Sequence, residues 1–262
     1  MRPSLTEQVQ QIWRYRELLR ELFIAWVKLR HAGSVLGLLW TLLNPVFFIA
    51  TYWLVFTRII RVDVADYPLF MIPGFLAWNF SVVAVTNAAE AILNAKDLIS
   101  RVAFPRVILV IASVMVPFLD FLAAFTVYAV ILILTGTGVS PAILSLPVVL
   151  VAQMFLTVGA GLVLATVAVY FRDTIRLIQV FATLLFFATP ILYPLTMIPE
   201  SLRPYAWLNP MTPVVTLYQR VLYEQQWVEP SVLFITLALG LAALGAGLKV
   251  FGHFEHSFAE IA

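Results

Sequence analysis

Long apolar runs alternate along this chain with short stretches where charge and proline return, and the runs have the length of membrane-spanning helices. Residues 37–57, at about 1.5 Å per residue, extend roughly 31 Å, enough for the hydrocarbon core of a bilayer. Comparable runs at 69–92, 107–134, 141–169, 177–195 and 231–250 predict six transmembrane helices in an all-α integral membrane protein. Ahead of them, residues 5–34 set Ile12, Leu18, Leu19, Leu22, Phe23 and Trp26 among charges at helical spacing. That pattern predicts an amphipathic helix, in the headgroup plane or docked on a partner, with a bend at 31–34 into the first span. Residues 94–106 interleave Lys96, Asp97, Arg101 and Arg106 with Leu98, Ile99, Val102 and Phe104, predicting a short amphipathic helix stopped by Pro105.

The stretch 189–213 (TPILYPLTMIPESLRPYAWLNPMTP) breaks the pattern, because it holds six of the fifteen prolines. Each proline removes an N–H and clashes with the preceding turn, so no straight helix continues through it. Broken backbone at membrane depth is tolerated only where protein buries it or water lines it, which predicts a pore mouth. Tyr193, Tyr205, Trp207, Asn209, Thr212 and Arg220 then place aromatic and polar groups at this mouth. A short interfacial helix is expected over 214–223, completing an external gate region at 196–223.

Polar positions inside the spans add candidate chemistry. In the first, Thr41, Asn44, Phe48, Thr51 with Tyr52, and Val55 follow one another at steps of three and four. In the fifth, Gln179, Thr183, Phe186, Pro190 and Tyr193 do the same. Two such stripes point to a shared cavity, with interhelical hydrogen bonding as the plainer account of each residue. Asp120 stands alone in the third span, and a mid-bilayer carboxyl costs about 2.5–3.5 kcal/mol, so it is expected to face the bundle interior. No Lys or Arg within a span offers it a partner; it is read as packed against backbone or a hydroxyl. Gly159, Gly161, Ala165 and Ala168, and Gly240, Ala243, Gly245 and Gly247, make small-residue seams for close helix contact.

Composition narrows the function classes. With 62% hydrophobic and 11% charged residues and a mean hydropathy of +0.97, this is a membrane protein. Absent cysteine excludes disulfides, thiol catalysis and cysteine metal sites. His253 and His256 lack a third ligand, so no metal site is expected. Residues 1–30 show no signal peptide. Twelve of the sixteen Lys and Arg fall before the first span, after the second and fourth, or at the end of the sixth, which predicts cytoplasmic termini and an outward-facing mouth. No P-loop is present, so the chain is not its own motor. Ion-coupled secondary transport would favour repeated broken helices and several intramembrane charges, a lipid-modifying enzyme a cluster of acid, base or nucleophile, and neither is visible. The basic face suits anionic lipid rather than nucleic acid.

The segments GSVLGLLWTLLNPVF (33–47), NAKDLISRVAFPRVILVIASV (94–114), VYFRDTIRLIQ (169–179) and TPILYPLTMIPESLRPYAWLNPMTPVVTLYQRVLY (189–223) resemble, in order, the permease subunit of bacterial ABC polysaccharide exporters of the type-two, O-antigen or teichoic-acid kind. The resemblance implies a homodimer of six-helix subunits in the bacterial inner membrane. Each dimer would join two copies of a separate ATP-binding subunit, which would hold the ATP and Mg that this chain does not, and would export an undecaprenyl-diphosphate-linked polysaccharide. It further implies that residues 94–106, with Lys96, Asp97, Arg101, Phe104 and Arg106, couple to that ATPase. Tyr205, Trp207, Asn209 and Arg220 would belong to the external gate. Trp40, Asn44, Phe48, Tyr52, Gln179, Thr183, Phe186 and Tyr193 would line the channel. Arg2, Arg14, Arg16 and Arg20 would attract the lipid diphosphate, or anchor to anionic lipid. Related type-two permeases for capsule polysaccharide, a drug or a small lipid remain alternatives.

Overall fold

Helix formation in the computed structural model, which describes residues 5–31, 39–60 and 64–258, follows the apolar runs closely. The elements in order are α1 (Leu5–Arg14), α2 (Arg16–His31), α3 (Leu39–Leu54), α4 (Tyr67–Asn94), α5 (Lys96–Arg101), α6 (Val107–Leu134), α7 (Leu146–Tyr170), α8 (Thr174–Ala188), α9 (Arg203–Ala206), α10 (Met211–Leu222) and α11 (Pro230–Phe254). Arg2, residues 32–34 of the expected bend, and the side chains of Thr41, Asn44 and His256 lie outside the described residues.

Among the described residues, four helices are long and apolar enough to cross a bilayer: α4, α6, α7 with its 3-10 lead-in (Pro141–Tyr170), and α11. The other two expected spans are shorter as regular α-helix among the described residues. The first, α3, loosens after Leu54 into a π-helical turn, Val55–Ile60. The fifth, expected over 177–195, begins earlier at Thr174 and ends at Ala188, just before Thr189 and Pro190. Its 15 residues reach only about 22 Å. The amphipathic helix expected over 94–106 is also shorter: α4 runs on to Asn94, and α5 ends at Arg101, four residues before Pro105.

The bundle is built around α4, which packs against α6 and α7 along its length and meets α10, α8 and α3 as well. Its sequence explains the position. Gly74, Ala77, Ser81, Ala84, Ala88 and Ala91 recur at steps of three and four, and all are buried. Without bulky side chains on that stripe, neighbouring helices approach closely and gain dispersion contacts that lipid cannot supply. Gly161 of α7 meets Ala88 there; a methyl on the glycine would sit 2.8 Å from the alanine Cβ. The two expected small-residue seams, one on α7 and one on α11, turn out to pack against each other. A side chain at Gly159 would overlap the Ala243 backbone, and one at Gly240 would lie 2.6 Å from the Ala152 carbonyl oxygen. Gly245, expected in the same seam, has no described atom within 4 Å of where its side chain would be.

Hydrogen bonds and ring contacts define the two ends of the bundle. At the α5 end, the Arg106 N–H donates to Glu255 Oε1 at 2.6 Å, its guanidinium donates to the Glu255 carbonyl, and the Tyr170 and Phe254 rings meet at 5.6 Å. At the other end, Tyr223 Oη donates to the Ala65 carbonyl at 2.7 Å, and Gln225 Nε2 donates to the Thr137 carbonyl at 3.0 Å. Burial, with the Asp66 and Glu224 carboxylates nearby, raises the Tyr223 pKa, so this phenol stays a donor.

The N-terminal helices correct one expectation. Leu19, Leu22 and Trp26 of α2 pack onto the core, and α2 lies along α6. Its C-terminal Arg30 reaches Asp120, with Nη1 donating to Oδ2 at 2.5 Å. Asp120 is therefore ion-paired, not a lone packed carboxyl. The partner escaped the sequence because it comes from a segment that precedes the spans, where a search confined to the spans does not look.

Candidate functional site

The break after α8 is built into the protein interior. Pro190 cannot continue the helix, so the carbonyls around it need other donors. Each finds one. Tyr67 Oη donates to the Leu192 carbonyl at 2.7 Å, Gln219 Nε2 to the Pro190 carbonyl at 2.9 Å, and Tyr193 Oη to the Phe187 carbonyl at 2.7 Å. Asn209 is buried, its Nδ2 donating to Thr189 Oγ1 at 2.7 Å while its Oδ1 accepts the Met211 N–H at 3.0 Å. Asn209 thus stitches the break to the first turn of α10. The expectation that it meets a solute is corrected: its amide is consumed internally.

The helix expected at the interface over 214–223 is also relocated. Of the α10 side chains, Met211, Val214, Val215, Leu217, Tyr218, Val221 and Leu222 are buried, and the helix contacts α4, α7 and α11. Gly74 of α4 makes room, since a methyl there would lie 2.8 Å from Val215. A buried polar network then fixes the depth. Gln153 of α7, with no exposed surface, donates from Nε2 to the Ala77 carbonyl at 2.8 Å and to Ser81 Oγ at 2.9 Å. Its Oε1 accepts the Tyr218 hydroxyl at 2.7 Å, and Ser81 and Thr157 hydroxyls lie 3.4 Å apart. Three helices are tied by one amide. Sequence reasoning missed Gln153 and Tyr218, although a lone amide in the fourth apolar run was the available signal.

The two polar-aromatic stripes meet on one side of α4. Phe75 of α4 contacts Phe48 and Tyr52 of α3 at ring-centroid distances of 5.7 and 5.2 Å, and Phe186 of α8 at 6.4 Å. Trp78, one turn on, lies 6.1 Å from Phe186. Tyr52 continues through Phe56 to Tyr67 at 6.0 and 5.0 Å. Of the predicted lining residues, Phe48, Tyr52 and Phe186 are thus brought together, with Phe75 and Trp78 as unpredicted centre. Trp40, Gln179 and Thr183 are exposed on the same two helices, and the Thr183 hydroxyl bonds back to the Gln179 carbonyl. Tyr193 falls beyond the end of α8 and caps it, which corrects its place on the fifth-span stripe. Asn79, exposed on the mostly buried α4, adds an amide one turn from Phe75.

The remaining predicted residues sort by what holds them. Tyr205 is exposed, whereas Trp207 packs partly into the core. Arg220 donates to the Trp227 carbonyl at 3.0 Å and pairs with Glu229 at 3.5 Å, so it braces the connection into α11 instead of facing a solute. On the α5 segment, Asp97, Arg101 and Val102 are exposed, Lys96 is half-buried, and Phe104 packs against the core. Arg106 is held by Glu255, which corrects its place on a partner-facing surface. Arg14, Arg16 and Arg20 are exposed, with the Arg16 guanidinium 5.0 Å from the Trp13 ring.

Comparison with known proteins places these features in context. Residues 18–223 match the ABC-2 type transporter family. The chain is 34% identical over 254 residues to an O-antigen export system permease protein RfbA of Myxococcus xanthus, covering 96% of this chain and 98% of that one. Two Klebsiella pneumoniae proteins of the same name are 29% and 30% identical over 236 and 240 residues, each covering 90% of this chain and 91% of the relative.

Proposed function

Because the chain belongs to the ABC-2 type transporter family, whose multi-pass membrane subunits work with an ABC ATP-binding partner, we propose that it forms the channel of an ATP-driven exporter of undecaprenyl-diphosphate-linked polysaccharide. O-antigen is the first candidate cargo, after the names of its relatives, and teichoic acid the second. The observation that carries this reading is the ring-lined face where α3, α4 and α8 converge beside the buried α10. Pyranose C–H faces pack on such rings while hydroxyls exchange partners along Asn79, Gln179 and Thr183, so each contact is weak and repeated, as sliding requires.

Two copies would close this face into a passage. The exposed amides of Asn79 on α4 and Gln179 on α8 favour such enclosure, because lipid tails would leave them without partners. With six crossings per subunit and both termini cytoplasmic in the inner membrane, the α5 end faces the ATPase and the α10 end faces outward. ATP and Mg are held by the two partner subunits. Closure of those subunits presses on the exposed Arg101 and Val102, and the Arg106–Glu255 tie passes the displacement to α11. The exposed Arg14, Arg16 and Arg20 attract the diphosphate or anionic headgroups.

The test is reconstitution of the full permease with its ATPase in vesicles loaded with the host's lipid-linked glycan. ATP-dependent movement of glycan to the far leaflet is expected, as is cytoplasmic accumulation of that glycan on deletion. Unchanged surface polysaccharide in the deletion strain would overturn the proposal.

A further inference from the structure

A second polar feature lies away from the aromatic face, at the α5 end of the bundle. There α2, α4, α5 and α6 enclose an open groove of about 720 Å³, within the ~300–1,000 Å³ typical of small-molecule sites. On α4 its wall includes Asn87, Glu90 and Asn94, at steps of three and four, so one helical face presents two amides and a carboxylate together. Trp26 and Arg30 of α2 and Asp97 of α5 complete the polar and aromatic lining.

The chemistry of this lining selects its occupant. Lipid tails are excluded by their poor match to half-buried Asn87 and Glu90, whose side chains bond to no other described residue. Anions are rejected as well. Among the described lining residues Arg30 is the sole cation, and its charge is already offset by Asp120, whereas Glu90 and Asp97 add negative charge. A diphosphate would therefore meet repulsion here. What remains is a neutral, hydroxyl-rich ring: carboxylates accept from its hydroxyls, the amides donate and accept, and the Trp26 ring offers an apolar plate for its C–H face.

We propose that this groove is a sugar-binding site, holding a neutral sugar residue of the cargo before it reaches the aromatic face, an inference that rests on the polysaccharide-export reading above. Trp26 stacks, Glu90 and Asn87 bind hydroxyls, and the Arg30–Asp120 pair keeps α2 closed over the site. The diphosphate itself sits elsewhere.

Photo-crosslinking in cells that export the glycan tests this, using full-length permease with its ATPase. The variant Leu29→p-benzoylphenylalanine places a probe at the groove rim, where Leu29 is exposed, and Phe48→p-benzoylphenylalanine places one on the aromatic face. A glycan-bearing adduct is expected from position 29. Trp26→Ala or Glu90→Ala should lower its yield about tenfold, roughly 1.4 kcal/mol of binding, while Trp26→Phe keeps it within about twofold. Yields are normalised to permease that copurifies with the ATPase, so misfolded protein is not counted. Phospholipid adducts alone at position 29, with glycan at position 48, overturn the groove and leave the exporter reading intact. Glycan at neither position overturns both.

Discussion

Replacing Gln153 by leucine is expected to destabilise the folded permease by about 2–3 kcal/mol and to unseat α10, because a buried donor or acceptor stripped of its partner costs about 1–3 kcal/mol. The amide serves Ala77, Ser81 and Tyr218 at once, on two other helices. Its loss strands the Tyr218 hydroxyl where no water reaches. Tyr218→Phe alone should cost about 1–2 kcal/mol by orphaning the Gln153 oxygen. The double variant Gln153→Leu/Tyr218→Phe should fall short of the summed effects, since neither orphan then remains. Thermal unfolding in detergent measures the energies, and ion leak through reconstituted permease reports whether α10 has left its seat. Additive energies with a tight seal would show that the network does not hold the helix.

The second large effect concerns Arg30 and Asp120. Their side chains are 42% and 24% exposed, so the pair is worth less than the ~3–5 kcal/mol lost on breaking a fully buried one. About 1–3 kcal/mol is expected. The loss should be asymmetric. Arg30→Leu removes the guanidinium from a carboxylate halfway along α6, where a charge costs most. Asp120→Asn leaves a guanidinium on a long stem at the end of α2, free to turn toward water or headgroups. Arg30→Leu should therefore lower stability and membrane yield more than Asp120→Asn, and Arg30→Leu/Asp120→Leu should recover much of the loss. Equal single effects that simply add would refute the pairing.

Much of this architecture was legible in the chain because bilayer length and proline chemistry are local constraints. The apolar runs gave α4, α6, α7 and α11 nearly to their ends, and the glycines of α7 and α11 announced close helix packing, though not which helices would meet. Thr189 and Pro190 marked where α8 stops, although the polar stripe was carried past them to Tyr193, which instead caps the helix. What escaped was long-range. Nothing local says that α10, amphipathic by sequence, turns its apolar face into the bundle centre, since interfacial and inserted helices share that pattern. Likewise Asn209, Arg220 and Arg106 carry the residue types expected of a gate or a contact surface, yet each is spent on backbone, hydroxyl or carboxylate groups of its own chain. Phe75 and Trp78 were hidden within a helix read only as a span, because their role depends on α3 and α8 flanking it.

The central claim is that the face shared by α3, α4 and α8 lines a wet passage. The chain has no cysteine, so single substitutions can be labelled without background. A membrane-impermeant cationic methanethiosulfonate should modify Phe48→Cys and Thr183→Cys in the assembled exporter during ATP turnover, more slowly when glycan is in transit. Phe234→Cys, on the exposed side of α11, should stay unmodified. Reactivity at 48 and 183 as low as at 234, with all three labelled by a lipid-soluble carbene instead, would place that face against lipid and contradict the account.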